Sequence, residues 1–94
     1  MKKIIITYIV KDGMREEFYR ELNNIGVGEK SRNEEGNIKY AYYAALEDDN
    51  KLVLLEVWEN GETLKKHMES DHFKELIQIK EKYVVETESD IFDC

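Results

Sequence analysis

Proline is absent from this 94-residue chain, cysteine and tryptophan each occur once, histidine occurs twice, and 14 basic residues face 21 acidic ones. Without proline there is no rigid Pro-rich spacer. The single cysteine, Cys94, excludes an intrachain disulfide and a cysteine-based zinc cage. A formal charge of -7 makes the surface repel phosphate backbones and anionic lipid, which argues against nucleic acid and membrane partners. The basic pairs Lys2-Lys3 and Lys65-Lys66 are too short to form a binding stripe. Long apolar runs are also missing. Ile4 to Val10 ends at Lys11-Asp12 with no small-residue cleavage site, and nothing approaches the roughly 20 apolar residues of a membrane span. The expected location is therefore cytoplasmic. Gly26-x-Gly28 lacks a third glycine, and no phosphate-loop motif is present, so no nucleotide or flavin site is recognisable.

What is present fits one domain spanning residues 1–94, with 41% hydrophobic content and a core thin for its length. Residues 3–10 form a β-branched and aromatic strand with apolar side chains on both faces. Asp12 is a candidate cap for a helix to about Ile25, with Met14, Phe18, Leu22 and Ile25 on one stripe. Gly26 and Gly28 stop it, and residues 29–37 read as a polar turn. Strands are expected at 38–46 and 52–58, joined by the loop Glu47-Asp48-Asp49-Asn50. Asn60 and Ser70 cap two helical pieces, the second with Phe73, Leu76, Ile77 and Lys80 inward, and a strand closes the chain over 83–92. The order β-α-β-β-α-β predicts an α+β, ferredoxin-like antiparallel sheet whose helices cover one face. Since the strands are apolar on both faces, the second face predicts a homodimer, sheet against sheet.

His67 is the leading candidate for chemistry, because it follows Leu64 by three and precedes Met68, which puts it at the inward stripe of its helix. A neutral imidazole there suits proton abstraction from a phenol or an acidic carbon, and equally suits a half-buried structural histidine. His72 follows Ser70-Asp71 at a helix start, where a neutral ring is favoured, and reads equally as a capping-turn residue. The spacing of five between the two does not stack them on one helical face, and Glu69 and Asp71 would be needed to complete a metal site. No metal is expected. Glu56 shares a strand face with Trp58, and Arg32 is the expected partner of its carboxylate in a structural ion pair. Tyr8, Tyr40, Tyr42 and Tyr43 offer stacking surfaces and hydroxyls for a planar ligand, or serve simply as strand residues. Phe18, Leu22, Leu64, Met68, Phe73, Leu76 and Ile77 are core candidates that could line a cavity.

Taken in order, Glu17-Phe18 in the first helix, Ser31-Arg32-x-Glu34-x-Gly36, Glu56-x-Trp58, His67 and His72-Phe73 resemble the antibiotic biosynthesis monooxygenase family over nearly the whole chain. The resemblance implies a dimeric α/β barrel with a pocket between helices and sheet. It implies, for one branch, oxidation of quinol-like or polyketide aromatics by molecular oxygen without a cofactor, with His67 as base. Tyr8, Phe18, Tyr40, Trp58, Leu64, Met68, His72 and Phe73 would contact the small aromatic substrate. A second branch processes a phosphorylated autoinducer sugar and is similar at Glu34-Glu35-Gly36-Asn37-Ile38, so a cofactor-free isomerase is the alternative, beside a non-catalytic binding dimer. The haem-degrading branch matches least, since its tryptophan and later histidine positions fall on His67 and Ile77.

Overall fold

The computed structural model describes residues 1–94. Strand β1 (Lys2–Val10) is followed by α1 (Arg15–Ile25) and α2 (Val27–Arg32), then by the hairpin β2 (Asn37–Ala44) and β3 (Lys51–Trp58). Helices α3 (Gly61–Met68) and α4 (Asp71–Tyr83) lead into β4 (Val84–Asp93). All pairings are antiparallel, in the order β2-β3-β1-β4. This is the ferredoxin-like α+β arrangement that the element order predicts.

The register fixes which side chains share a face. Ile4 lies opposite Glu56, Tyr8 opposite Leu52, and Tyr40 opposite Glu56 on the other side, so these residues point together toward the helices. On β3, Leu52, Leu54, Glu56 and Trp58 are buried while Val53, Leu55 and Val57 are only partly covered. Phe18 and Leu22 of α1, Val27 of α2 and Leu76 and Ile79 of α4 complete the buried layer between helices and sheet.

Several local expectations are revised. Asp12 does not cap α1, which starts at Arg15 after Met14 with no side-chain cap; the Asp12 carboxylate accepts from Asn50 Nδ2 at 3.1 Å and ties the turn to the hairpin loop. Gly26 ends α1 in the left-handed conformation at φ 68°, but Gly28 continues helically, so the stretch expected to be turn contains α2. On α4 the inward stripe is Phe73, Leu76, Ile79 and Tyr83, with Ile77 outside it and exposed. Strand β2 stops at Ala44, and Leu46 lies in the exposed loop. No helix is long and apolar enough to cross a membrane.

Candidate active site

Three elements converge on His67. Helix α3 begins with a reciprocal cap: Asn60 Oδ1 accepts from Thr63 N at 3.0 Å while Thr63 Oγ1 sits 3.4 Å from Asn60 N. That orientation puts Thr63 and His67, four residues apart, on the buried face. At the far end Ser70 Oγ donates to His67 O at 2.6 Å and accepts from Phe73 N at 3.2 Å, so one hydroxyl joins the end of α3 to the start of α4. The chain bends there. The bend brings His72 back toward His67, with ring centroids 5.7 Å apart, which a continuous helix with the same spacing of five would not do.

The third element is the α2–β2 turn, which supplies Glu34. Its Oε1 lies 2.7 Å from His67 Nδ1 and 2.5 Å from His72 Nε2, so one carboxylate oxygen serves both imidazoles. Gly36 makes this approach possible. It has φ 83°, and a Cβ at that position would lie 2.4 Å from the Thr63 side chain, so the turn docks on α3 only because residue 36 has no side chain.

His67 is 1% exposed and sits among Trp58, Tyr40 and Phe73, with centroid distances of 4.7, 5.7 and 5.4 Å. Its second nitrogen, Nε2, lies 3.7 Å from Glu56 Oε1, and the same oxygen accepts from Trp58 Nε1 at 3.0 Å. Burial pulls the His67 pKa below its ordinary value, against the opposing pull of Glu34. Burial pushes Glu56 up to about 7, partly offset by the Trp58 hydrogen bond and reinforced by the Glu34 charge. At neutral pH the ring is thus biased toward the neutral form. A hydrogen bond from Nδ1 to Glu34 would leave the Nε2 lone pair facing the interior.

The ion pair expected between Arg32 and Glu56 does not form. Arg32 Nη1 donates to Tyr40 O at 2.9 Å, bracing α2 against β2, while Glu56 turns inward to Trp58 and His67. Met68 is 51% exposed and points away from the site, because its neighbour His67 takes the inward position. Among the other residues singled out, Trp58, Tyr40 and Phe73 surround His67 and His72 meets it through Glu34. Tyr8 and Phe18 pack edge to face at 5.5 Å farther along the same layer, and Leu64 is half-buried against the core. Glu34 was legible only within the patterns Ser31-Arg32-x-Glu34-x-Gly36 and Glu34-Glu35-Gly36-Asn37-Ile38, and nothing in its polar surroundings marked it as a partner of both histidines. Glu69 and Asp71 are not needed to bring a carboxylate to the histidines.

A cavity of about 290 Å³ opens beside this layer, lined by Arg15, Glu16, Tyr19, Tyr42, Ala44 and Leu52. Tyr19 and Tyr42 pack at 5.6 Å on its wall, and the Tyr42 hydroxyl lies 3.4 Å from that of Tyr40, which in turn packs on His67. Burial drives the pKa of Tyr8, Tyr40 and Tyr42 far upward, so all three remain neutral phenols. Arg15 was not anticipated. Its Nη1 donates to the carbonyls of Ala45, Asp48 and Lys51 at 3.0–3.3 Å, which pins the hairpin loop beside the cavity.

Residues 1–78 match the family model for antibiotic biosynthesis monooxygenase. The chain belongs to the antibiotic biosynthesis monooxygenase family. A Bacillus subtilis (strain 168) relative named "Putative monooxygenase YcnE" is 35% identical over 75 residues, 79% of this chain and 77% of that one. Among solved structures, a conserved protein from Methanosarcina mazei Go1 is 33% identical with a TM-score of 0.86, over 97% of this chain and 89% of that one. PA3566 from Pseudomonas aeruginosa shares the fold at a TM-score of 0.87 and 22% identity, over 99% and 92% of the two chains. Within this family fold, the Glu34, His67 and His72 group lies between the helices and the sheet, as does the Glu56 and Trp58 pair.

Proposed function

We propose that this family member is a monooxygenase that oxidises a small electron-rich aromatic, quinol-like or polyketide in type, with molecular oxygen and without a cofactor. The observation that carries the reading is His67, a buried imidazole among three aromatic rings with a carboxylate facing each of its nitrogens. Family membership and the monooxygenase name of the Bacillus relative support the same class. The substrate ring fits against Tyr19 and Tyr42 in the 290 Å³ cavity, near the lower end of the sizes typical of small-molecule sites. Tyr40, Trp58, His72 and Phe73 shape the inner end around His67, and Tyr8, Phe18 and Leu64 back the layer behind it.

In this mechanism the substrate hydroxyl gives its proton toward His67, which does not line the cavity, through the hydroxyl pair of Tyr42 and Tyr40. The resulting anion passes one electron to oxygen, and the two radicals combine at a ring carbon. That carbon loses its hydrogen and becomes a carbonyl. One oxygen atom is retained and the other leaves as water, so the four electrons taken up by oxygen balance. Two copies of the chain, joined through the open faces of their sheets, form the working unit.

The test is oxygen uptake with a panel of hydroquinones and dihydroxynaphthalenes, with autoxidation subtracted, for wild type and His67→Ala. Uptake that the substitution reduces by roughly 10²-fold or more, the scale of a lost general base, supports the reading. Absence of enzyme-dependent uptake across the panel overturns it, and turnover that persists without oxygen moves the protein to the isomerase class.

A further inference from the structure

We infer that Glu34, His67 and His72 form a binding site for one divalent transition-metal ion of the zinc, cobalt or nickel type. This inference stands apart from the monooxygenase reading, because it concerns what the three side chains hold and is read by binding.

The geometry leads to it directly. His67 Nδ1 and His72 Nε2 point at the same oxygen of Glu34, and the three donor atoms lie within 4.8 Å of one another. Bonds of about 2.0–2.2 Å from nitrogen and carboxylate oxygen to such an ion require ligand atoms about 3–3.5 Å apart, so the group closes on an ion by small side-chain shifts. Two imidazoles and one carboxylate suit a borderline transition metal, whereas calcium and magnesium prefer all-oxygen cages. Three protein ligands leave at least one coordination position free. Access is from the rim, where the side chains of His72 and Glu34 retain 13% and 19% exposure.

Behind His67 stands a carboxylate just beyond hydrogen-bond reach. The ring's other nitrogen, Nε2, faces Glu56 Oε1 at 3.7 Å, and Trp58 Nε1 holds that carboxylate in place. A carboxylate behind a ligating imidazole fixes its tautomer and raises its basicity. Binding requires only that His67 carry its proton on Nε2, toward Glu56, and that His72 carry its proton on Nδ1. Each ring then gives up its hydrogen bond to Glu34 and offers a lone pair instead. The three ligands also come from separately braced elements: Gly36 docks the Glu34 turn on Thr63, and Ser70 clamps the junction that carries His67 and His72. In the metal-loaded form His67 Nε2 is protonated and cannot accept a substrate proton, so occupancy and base chemistry at His67 exclude each other.

The experiment is titration of the metal-free protein with Co²⁺, followed by its visible d–d absorption, with Zn²⁺ competition, for wild type, His72→Ala and Glu34→Gln. Both substitutions lie at the rim rather than in the sealed core, and circular dichroism checks the fold of each. The expected result is one equivalent bound in wild type, a protein-specific visible band displaced by Zn²⁺, and affinity lowered about 100-fold or more in His72→Ala. Because outer-sphere partners typically contribute 10–100-fold, Glu56→Gln is expected to weaken binding by about 10-fold without changing stoichiometry. Absence of a band at millimolar Co²⁺, or binding equal in wild type and His72→Ala, overturns the site. Oxygen uptake measured on the same metal-free and metal-loaded samples separates the two ideas. Metal binding without uptake in either state leaves this site standing and removes the monooxygenase reading, and uptake without metal binding does the reverse.

Discussion

Glu56 is a carboxylate buried opposite Ile4 and Tyr40, with an indole N–H as its close donor and an imidazole 3.7 Å away. Burial raises its pKa from 4.5 to about 7. In the unfolded chain the group ionises near its ordinary value, so between about pH 4.5 and 7 the folded state binds more protons and stability falls as pH rises. The loss is complete above about pH 7, and a shift of this size corresponds to roughly 3 kcal/mol. His67 acts in the opposite sense. Its folded pKa is lowered, so its contribution is present above about pH 6.5 and is lost as pH falls through the depressed value. Glu56→Gln keeps an acceptor for Trp58 and removes the falling limb. Urea denaturation should therefore show the variant gaining about 2–3 kcal/mol over wild type at pH 8.5 relative to pH 5. Equal differences at the two pH values would contradict the buried-carboxylate account. At this scale the sequence singled out Glu56, Trp58 and His67, because an acid on an apolar strand face and a histidine on an inward stripe both violate simple patterning. It did not show their partners. Arg32 was the candidate partner from the polar segment before β2, but its helix directs it to the Tyr40 carbonyl instead.

Elements bring Glu34, His67 and His72 together, and two small residues decide how those elements meet. At Gly36 a methyl group would both occupy a left-handed backbone conformation and overlap the Thr63 side chain. Gly36→Ala is expected to cost about 2–4 kcal/mol and to pull Glu34 away from His67, read as a lowered melting temperature and altered histidine ring resonances in NMR spectra. A variant with unchanged stability and unchanged histidine signals would refute the docking role. Ser70→Ala removes the cap of α4, and a loss of about 1 kcal/mol is expected by denaturant titration. Asn60 and Ser70 were readable as caps because the residue type and the following apolar spacing agree. Helix α2 was not readable. It is six residues long, carries Gly28, and is held by Val27 and Ser31 packing inward and by the Arg32 hydrogen bond, which are tertiary contacts rather than local preferences.

The whole molecule is a sheet with helices on one side only. On the other side Ile5 lies opposite Leu55 and Thr7 opposite Val53, with Ala41 and Tyr43 alongside, and these strand residues are partly or fully open in the single chain. A face of this composition is suited to a second copy of the chain. Leu55→Lys, at the centre of that face, is expected to convert a dimer into a monomer by light scattering coupled to size exclusion, while preserving the circular dichroism spectrum. A monomeric wild type would remove the sheet-to-sheet pairing. The sequence by itself determined the fold class, the two-sided apolar strands and the Asn60 and Ser70 caps of α3 and α4, because periodicity, β-branching and capping chemistry act over a few neighbouring residues. Only the tertiary structure decided that Glu34 bridges His67 and His72, that Glu56 faces His67 rather than Arg32, and that Met68 lies outside. Those outcomes depend on the bend at Ser70 and on the approach of the Gly36 turn to α3, where residues distant in sequence meet at distances no local pattern encodes.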